Sequence, residues 1–164
     1  MTRLSSTSLA IPVLALTAFV APVASANYML LPGGGRGYYT YEPSSHRWGK
    51  PRMIHGLVTL ARKWDDKYKG KKLGYGDISK KGGGYFPPHE THRYGTDSDS
   101  RPIGDHGNAI ATSVGWSSYS TSWTRRYVAL IKHVIHPRLI YHNNNHIPGV
   151  RYCPGHDNHL HTSI

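Results

Sequence analysis

Two short stretches hold most of the side chains able to do chemistry. Residues 87–99, PPHETHRYGTDSD, set His89, His92, Asp97 and Asp99 among turn formers, and residues 154–161, PGHDNHLH, place His156, His159 and His161 near the end of the sequence. Histidine nitrogens and carboxylate oxygens are zinc ligands, and a catalytic zinc takes three of them at about 2.0–2.2 Å while keeping a fourth position open. A strand returns side chains to one face every second residue, so His159 and His161 can point together while Asn158 and Leu160 point away. His92 and Asp99 stand seven residues apart and meet if the loop between them doubles back, for which Gly95 supplies the backbone freedom. Spacing alone leaves two readings open. One is a catalytic metal site; the other is chance clustering among 12 histidines, with a tail that binds metal to no purpose. His46, His55, His106, His133, His136, His142 and His146 are read as surface or packing residues.

Other catalytic chemistries find little support. No G-x-S-x-G stretch occurs to expose a nucleophilic serine. Cys153 is the single cysteine, so no internal disulfide forms. It reads as a small buried apolar residue in preference to a reactive thiol.

The elements that must position these residues are legible in outline. Ile54, Leu57, Val58, Ala61 and Trp64 recur at helical spacing within 51–68, and Pro51 fits a first turn. A second helix is predicted over 118–136, with Ser120, Thr121 or Ser122 as cap, Trp123, Tyr127, Leu130, Ile131 and Val134 as its apolar stripe, and Pro137 as its stop. Residues 31–39, rich in glycine, read as loop, and 78–107 as a long surface loop with at most short strands. Loops of that length in a compact domain are usually functional. Short strands are expected over 138–143 and 149–153, and the ending HLHTSI alternates like another. The pattern is α+β.

The first 26 residues have the layout of a secretory signal peptide: one charge at Arg3, an apolar run from Leu9 to Val20 and a small-x-small site at Ala24-Ser25-Ala26. Its apolar core is too short to span a bilayer. Cleavage there leaves residues 27–164 as one domain, with no later segment apolar enough for stable membrane insertion. That domain carries 19 Lys and Arg against nine Asp and Glu. So basic a surface favours anionic partners, and export points to a cell-wall polymer or acidic lipid instead of nucleic acid.

HETHRYGTDSD followed far downstream by PGHDNHLH resembles the penicillin-insensitive murein endopeptidases, within the zinc peptidases of the lysostaphin, D-Ala-D-Ala peptidase and hedgehog group. GYGDISKKGGGYFPPH (74–89), the helix YVALIKHVI and the closing GHDNHLH carry the likeness across roughly residues 45–162. The resemblance implies a small central antiparallel sheet flanked by helices, with long active-site loops. It implies a zinc held by His92, Asp99 and His161, with His159 as the catalytic histidine and His156 and His89 as its neighbours. The dipeptidase branch has a glutamate base where this chain has Asn158, and an amide cannot take a proton; the murein endopeptidase branch uses histidine instead. Asp97 is read either as orienting a ligand histidine or as capping a loop. Asp77 and Ser79 either bond substrate or close a turn. The implied function is a periplasmic or secreted zinc metallopeptidase that hydrolyses peptide cross-links of peptidoglycan, the D-alanyl–diaminopimelyl bond leading. A non-catalytic zinc domain that binds the wall, a D,D-carboxypeptidase and an antibacterial toxin on the same scaffold are the alternatives.

Overall fold

Two amphipathic helices and a polar-edged sheet build the molecule, which a computed structural model describes over residues 28–164. The predicted signal peptide, residues 1–26, lies outside the described residues. Among these, no helix is long and apolar enough to cross a membrane. The helix α1 spans Pro51–Lys67, with proline in its first turn. Its buried side chains, Met53, Ile54, Leu57, Leu60, Ala61 and Trp64, follow the spacing of one helix face. The second helix, α2, spans Thr121–Ile135. Ser120 caps it by accepting from the Trp123 amide, and His136 ends it in the left-handed region at φ 50°. The helices meet through Trp64, whose ring lies edge-on to Trp123 and Tyr127 at 6.1 and 5.6 Å. Burying each such side chain contributes roughly 1.5–3 kcal/mol.

Eight short strands complete the fold: β1 (Met29–Leu30), β2 (Gly34–Gly35), β3 (Tyr38–Thr40), β4 (Trp48–Gly49), β5 (Leu73–Tyr75), β6 (Asp97–Ser100), β7 (Leu139–Tyr141) and β8 (Leu160–Ser163). β1 and β4 form a separate ribbon, and the other six form one sheet in the order β2-β3-β5-β6-β8-β7. The expected sheet is antiparallel, and the observed one is mixed, because β3 pairs with β5 in parallel while the remaining pairs are antiparallel. α1 is the crossover that makes this parallel pair possible.

Three local expectations need correction. The glycine-rich stretch read as loop forms the β2–β3 hairpin, its backbone groups paired across the turn. The strand expected over 149–153 reduces to a bridge between Arg151 and Tyr141. Pro148 and Pro154 bracket it and have no amide hydrogen with which to extend a ladder. Within the expected long loop, the sequence DSDS makes the sheet's interior strand β6, all four residues buried.

Register explains how so polar a strand can lie inside. Ser100 is opposite Leu160 and Tyr75, and Ser98 is opposite Thr162, which in turn faces Ile140. This face looks onto the helices: Leu160 and Ile140 belong to the same core cluster as Tyr127 and Ile131 of α2. The opposite face carries Asp99 beside His161 beside Tyr141, with Asp97 beside Ser163. Apolar packing covers one side of β6, and a histidine-rich loop covers the other.

Candidate metal and catalytic site

The loop from Pro87 to Thr96 brings His92 onto the aspartate face. Gly95 sits at φ +68°, and a Cβ there would approach the Tyr28 ring at 2.6 Å, so the doubling-back requires glycine. His92 Nδ1 lies 2.9 Å from the Ile78 carbonyl, to which it donates. Its Nε2 is thereby turned toward β6 and β8. There Nε2 is 3.0 Å from His161 Nδ1 and 3.3 Å from Asp99 Oδ1, and the last two atoms are 3.1 Å apart.

This triangle is the geometric test of a metal site. A tetrahedral ion with bonds of 2.0–2.1 Å separates its ligands by about 3.3 Å, and the three atoms stand at that spacing. They are two ring nitrogens and a carboxylate oxygen, converging where only a shared proton or a cation can reconcile their lone pairs. The residues fit zinc. Behind them, His161 Nε2 lies 3.2 Å from Asp97 Oδ1, so the carboxylate orients the ring with Nδ1 facing inward. His89 offers a fourth candidate ligand atom nearby: His89, His92 and Asp99 offer ligand atoms within 4.8 Å of one another. Its Nδ1 is 3.8 Å from Asp99 Oδ2 and its Nε2 is 2.9 Å from Asp77 Oδ2, so it bridges two carboxylates at the edge of the triangle.

The electrostatics follow from this crowding. Burial pulls the His161 imidazole down, but the Asp97 and Asp99 carboxylates outweigh it and hold the ring up at about 9. Burial works to raise Asp99 as well; hydrogen bonds from His161 and His92 win and keep it far below the usual carboxylate range. Asp97 and Asp77 are lowered in the same way, by His161 and by His89 with His46. His159 goes the other way, because burial lowers it and the attraction of Asp99 does not compensate.

His159 precedes β8 and keeps the strand's alternation, with Nε2 3.9 Å from Asp99 Oδ1. Its Nδ1 is 2.7 Å from Asn158 Oδ1, and an amide oxygen can only accept. The ring is thus the Nδ1–H tautomer, with a neutral Nε2 lone pair turned to the triangle. His156 packs on it at 4.7 Å between ring centroids.

Two cavities of about 570 and 520 Å³ adjoin at the cluster, and both are lined by His89, Asp99 and His159. Tyr41, Glu42, Asp77, Arg101, Trp116 and Asp157 line the first; Tyr141, Cys153, His156 and His161 line the second. An extended chain can cross from one to the other over the histidines.

Several predicted residues fall elsewhere. Ser79 is fully buried, lines neither cavity and has a hydroxyl without a partner; its backbone pairs with His46 and Trp48. Cys153 is half-buried at a cavity wall, not the enclosed residue expected. His46, read as surface or packing, donates through Nδ1 to Asp77 Oδ1 at 2.7 Å and so belongs to the cleft's polar network. His142 is a packing residue, buried between Tyr119 and the carbonyls of His156 and His159. The strand alternation D-x-D-x-R over 97–101 was the available signal for Arg101, which the sequence reading passed over.

Residues 23–103 match the family model described as penicillin-insensitive murein endopeptidase. The match takes in Asp77, His89, His92, Asp97 and Asp99 and ends before His156, His159 and His161. No curated protein matches the chain.

Proposed function

We propose, from the premise that this chain belongs to the penicillin-insensitive murein endopeptidase family, that it is an exported zinc endopeptidase acting on the D-alanyl–diaminopimelyl cross-links of peptidoglycan. Residues 27–164 would form its single domain, on a scaffold of the hedgehog and D-Ala-D-Ala peptidase kind, in the periplasm or outside the cell. The observation that carries the reading is the triangle of His92 Nε2, Asp99 Oδ1 and His161 Nδ1 with a neutral histidine at its edge.

A zinc held by His92, Asp99 and His161 would acidify a water and polarise the scissile carbonyl. His159 Nε2, left bare by the Asn158 bond, takes the proton of the attacking water. It then returns that proton to the departing amine, so one group serves as base and acid in turn. A cation at the triangle would lower His159 further, which keeps its lone pair free at neutral pH. His156 and His89 flank the path between the two cavities and can hydrogen-bond the peptide where it bends over the cluster. No side chain here forms an acyl intermediate, which agrees with insensitivity to β-lactams.

The test is digestion of purified sacculi with and without a zinc chelator, with fragments read by mass spectrometry. Loss of cross-linked dimers in favour of monomers, abolished by chelator and restored by zinc, is the expected result. Undigested sacculi with zinc bound would transfer the chain to the wall-binding alternative, and release of free D-alanine to the carboxypeptidase one.

A further inference from the structure

A cation in the larger cavity, Arg101, has no hydrogen-bond partner for its Nε among the described residues. Asp97, Asp99 and Arg101 alternate along β6 and its extension, so Arg101 emerges on the same face as Asp99, about 7 Å further along the strand. Across from it, β5 offers bare backbone. The Arg101 amide bonds the Gly74 carbonyl at 3.0 Å, and the Gly76 amide bonds the Asp99 carbonyl at 2.8 Å. A Cβ on Gly74 would lie 3.2 Å from Arg101 Cδ, and one on Gly76 would collide with the Tyr41 hydroxyl. The two glycines therefore form a groove in which the arginine lies over Tyr41, its guanidinium carbon 4.1 Å from the ring centroid.

The carboxylates of that cavity are engaged elsewhere. Asp77 meets His46 and His89, Glu42 faces His46, Asp99 meets His92 and His161, and Asp157 accepts from Ser113. Arg101 Nε is buried with no hydrogen-bond partner. Such an atom carries an uncompensated desolvation cost, which a carboxylate would remove by accepting two parallel N–H bonds from the fork.

We propose that Arg101 is the anchor for the substrate carboxylate carried by the same carbon that bears the departing amine. This rests on the endopeptidase reading. In a D-alanyl–diaminopimelyl cross-link the donor's carboxyl is consumed in the bond, whereas the acceptor carbon that bears the departing amine keeps a free carboxylate. The larger cavity would then take the acceptor peptide, and the histidine-walled cavity the donor.

The experiment uses zinc-loaded protein and two cross-linked muropeptide dimers that differ only in amidation of that acceptor carboxylate. Wild type should favour the free acid by roughly 10- to 100-fold in kcat/KM, mostly through KM. Arg101→Gln should cleave both dimers at the slow rate, and Arg101→Lys should recover part of the preference, since it keeps the charge without the fork. A preference retained in Arg101→Gln overturns the proposal. Should Arg101→Gln fail to fold, Arg101→Lys decides alone, with an unchanged preference counting against. If wild type cleaves neither dimer, the endopeptidase reading fails and calorimetric titration with diaminopimelate and its diamide decides the anchor. Acid-selective binding that disappears in Arg101→Gln, or weakens in Arg101→Lys, supports it; equal binding of acid and diamide by wild type overturns it.

Discussion

Replacing His159 with alanine separates holding the metal from doing the chemistry. The ring stands 3.9 Å from Asp99 Oδ1, outside the 3.0–3.3 Å triangle, so the three atoms of the triangle survive its removal. Its direct polar link is the Asn158 contact in a partly exposed position. Loss of one such hydrogen bond costs about 0.5–1.5 kcal/mol of stability at most. The rate effect should be far larger. A positioned base contributes on the order of 10²–10⁴-fold, which is about 2.7–5.5 kcal/mol in the barrier. His159→Ala should therefore keep full zinc by elemental analysis and a melting temperature within a few degrees of wild type. Its turnover of cross-linked dimers, followed by liquid chromatography, should drop by at least two orders of magnitude with KM little changed. Full turnover with zinc retained would refute the assignment and pass the role to His156. Loss of zinc would show that His159 is itself a ligand.

Asp97→Asn leaves an oxygen near His161 Nε2 but removes the charge, and should weaken zinc affinity roughly 10- to 100-fold in a chelator competition; unchanged affinity would mean the carboxylate only caps the loop. In the metal-free protein, His161 is raised to about 9 from an ordinary value near 6.5, so its stabilisation is complete below pH 6.5 and lost as pH climbs through 9. Melting temperature without zinc should accordingly fall between pH 6 and 9, while the increment given by zinc grows over the same range, because the metal needs the deprotonated ring. A zinc increment that shrinks with pH would contradict this ligand set. Gly95→Ala forces a side chain into φ +68° and against Tyr28, and should destabilise the fold by more than about 1 kcal/mol in chemical denaturation while also lowering zinc affinity.

The sequence by itself determined the two helices, a cap among Ser120, Thr121 and Ser122, the alternation that carries His161, and the two remote segments that hold the candidate ligands. Each of these is local periodicity or ligand chemistry, and both are visible residue by residue. The family likeness rested on the same motifs. Tertiary structure alone decided the rest. β6 has no apolar residue, so no periodicity marked it as an interior strand; hydrogen bonds from His92 and His161 on one face and the helix layer on the other make its burial possible. The parallel β3–β5 pair depends on how α1 crosses the sheet, which spacing does not encode. His46 read as a surface or packing residue and Arg101 carried no reading until Asp77 and the glycine groove gave them a place in the cleft. The tautomer of His159 was set by a neighbour one residue away, yet its meaning came from Asp99, 60 residues upstream, because a proton acceptor acquires a role only from what it faces.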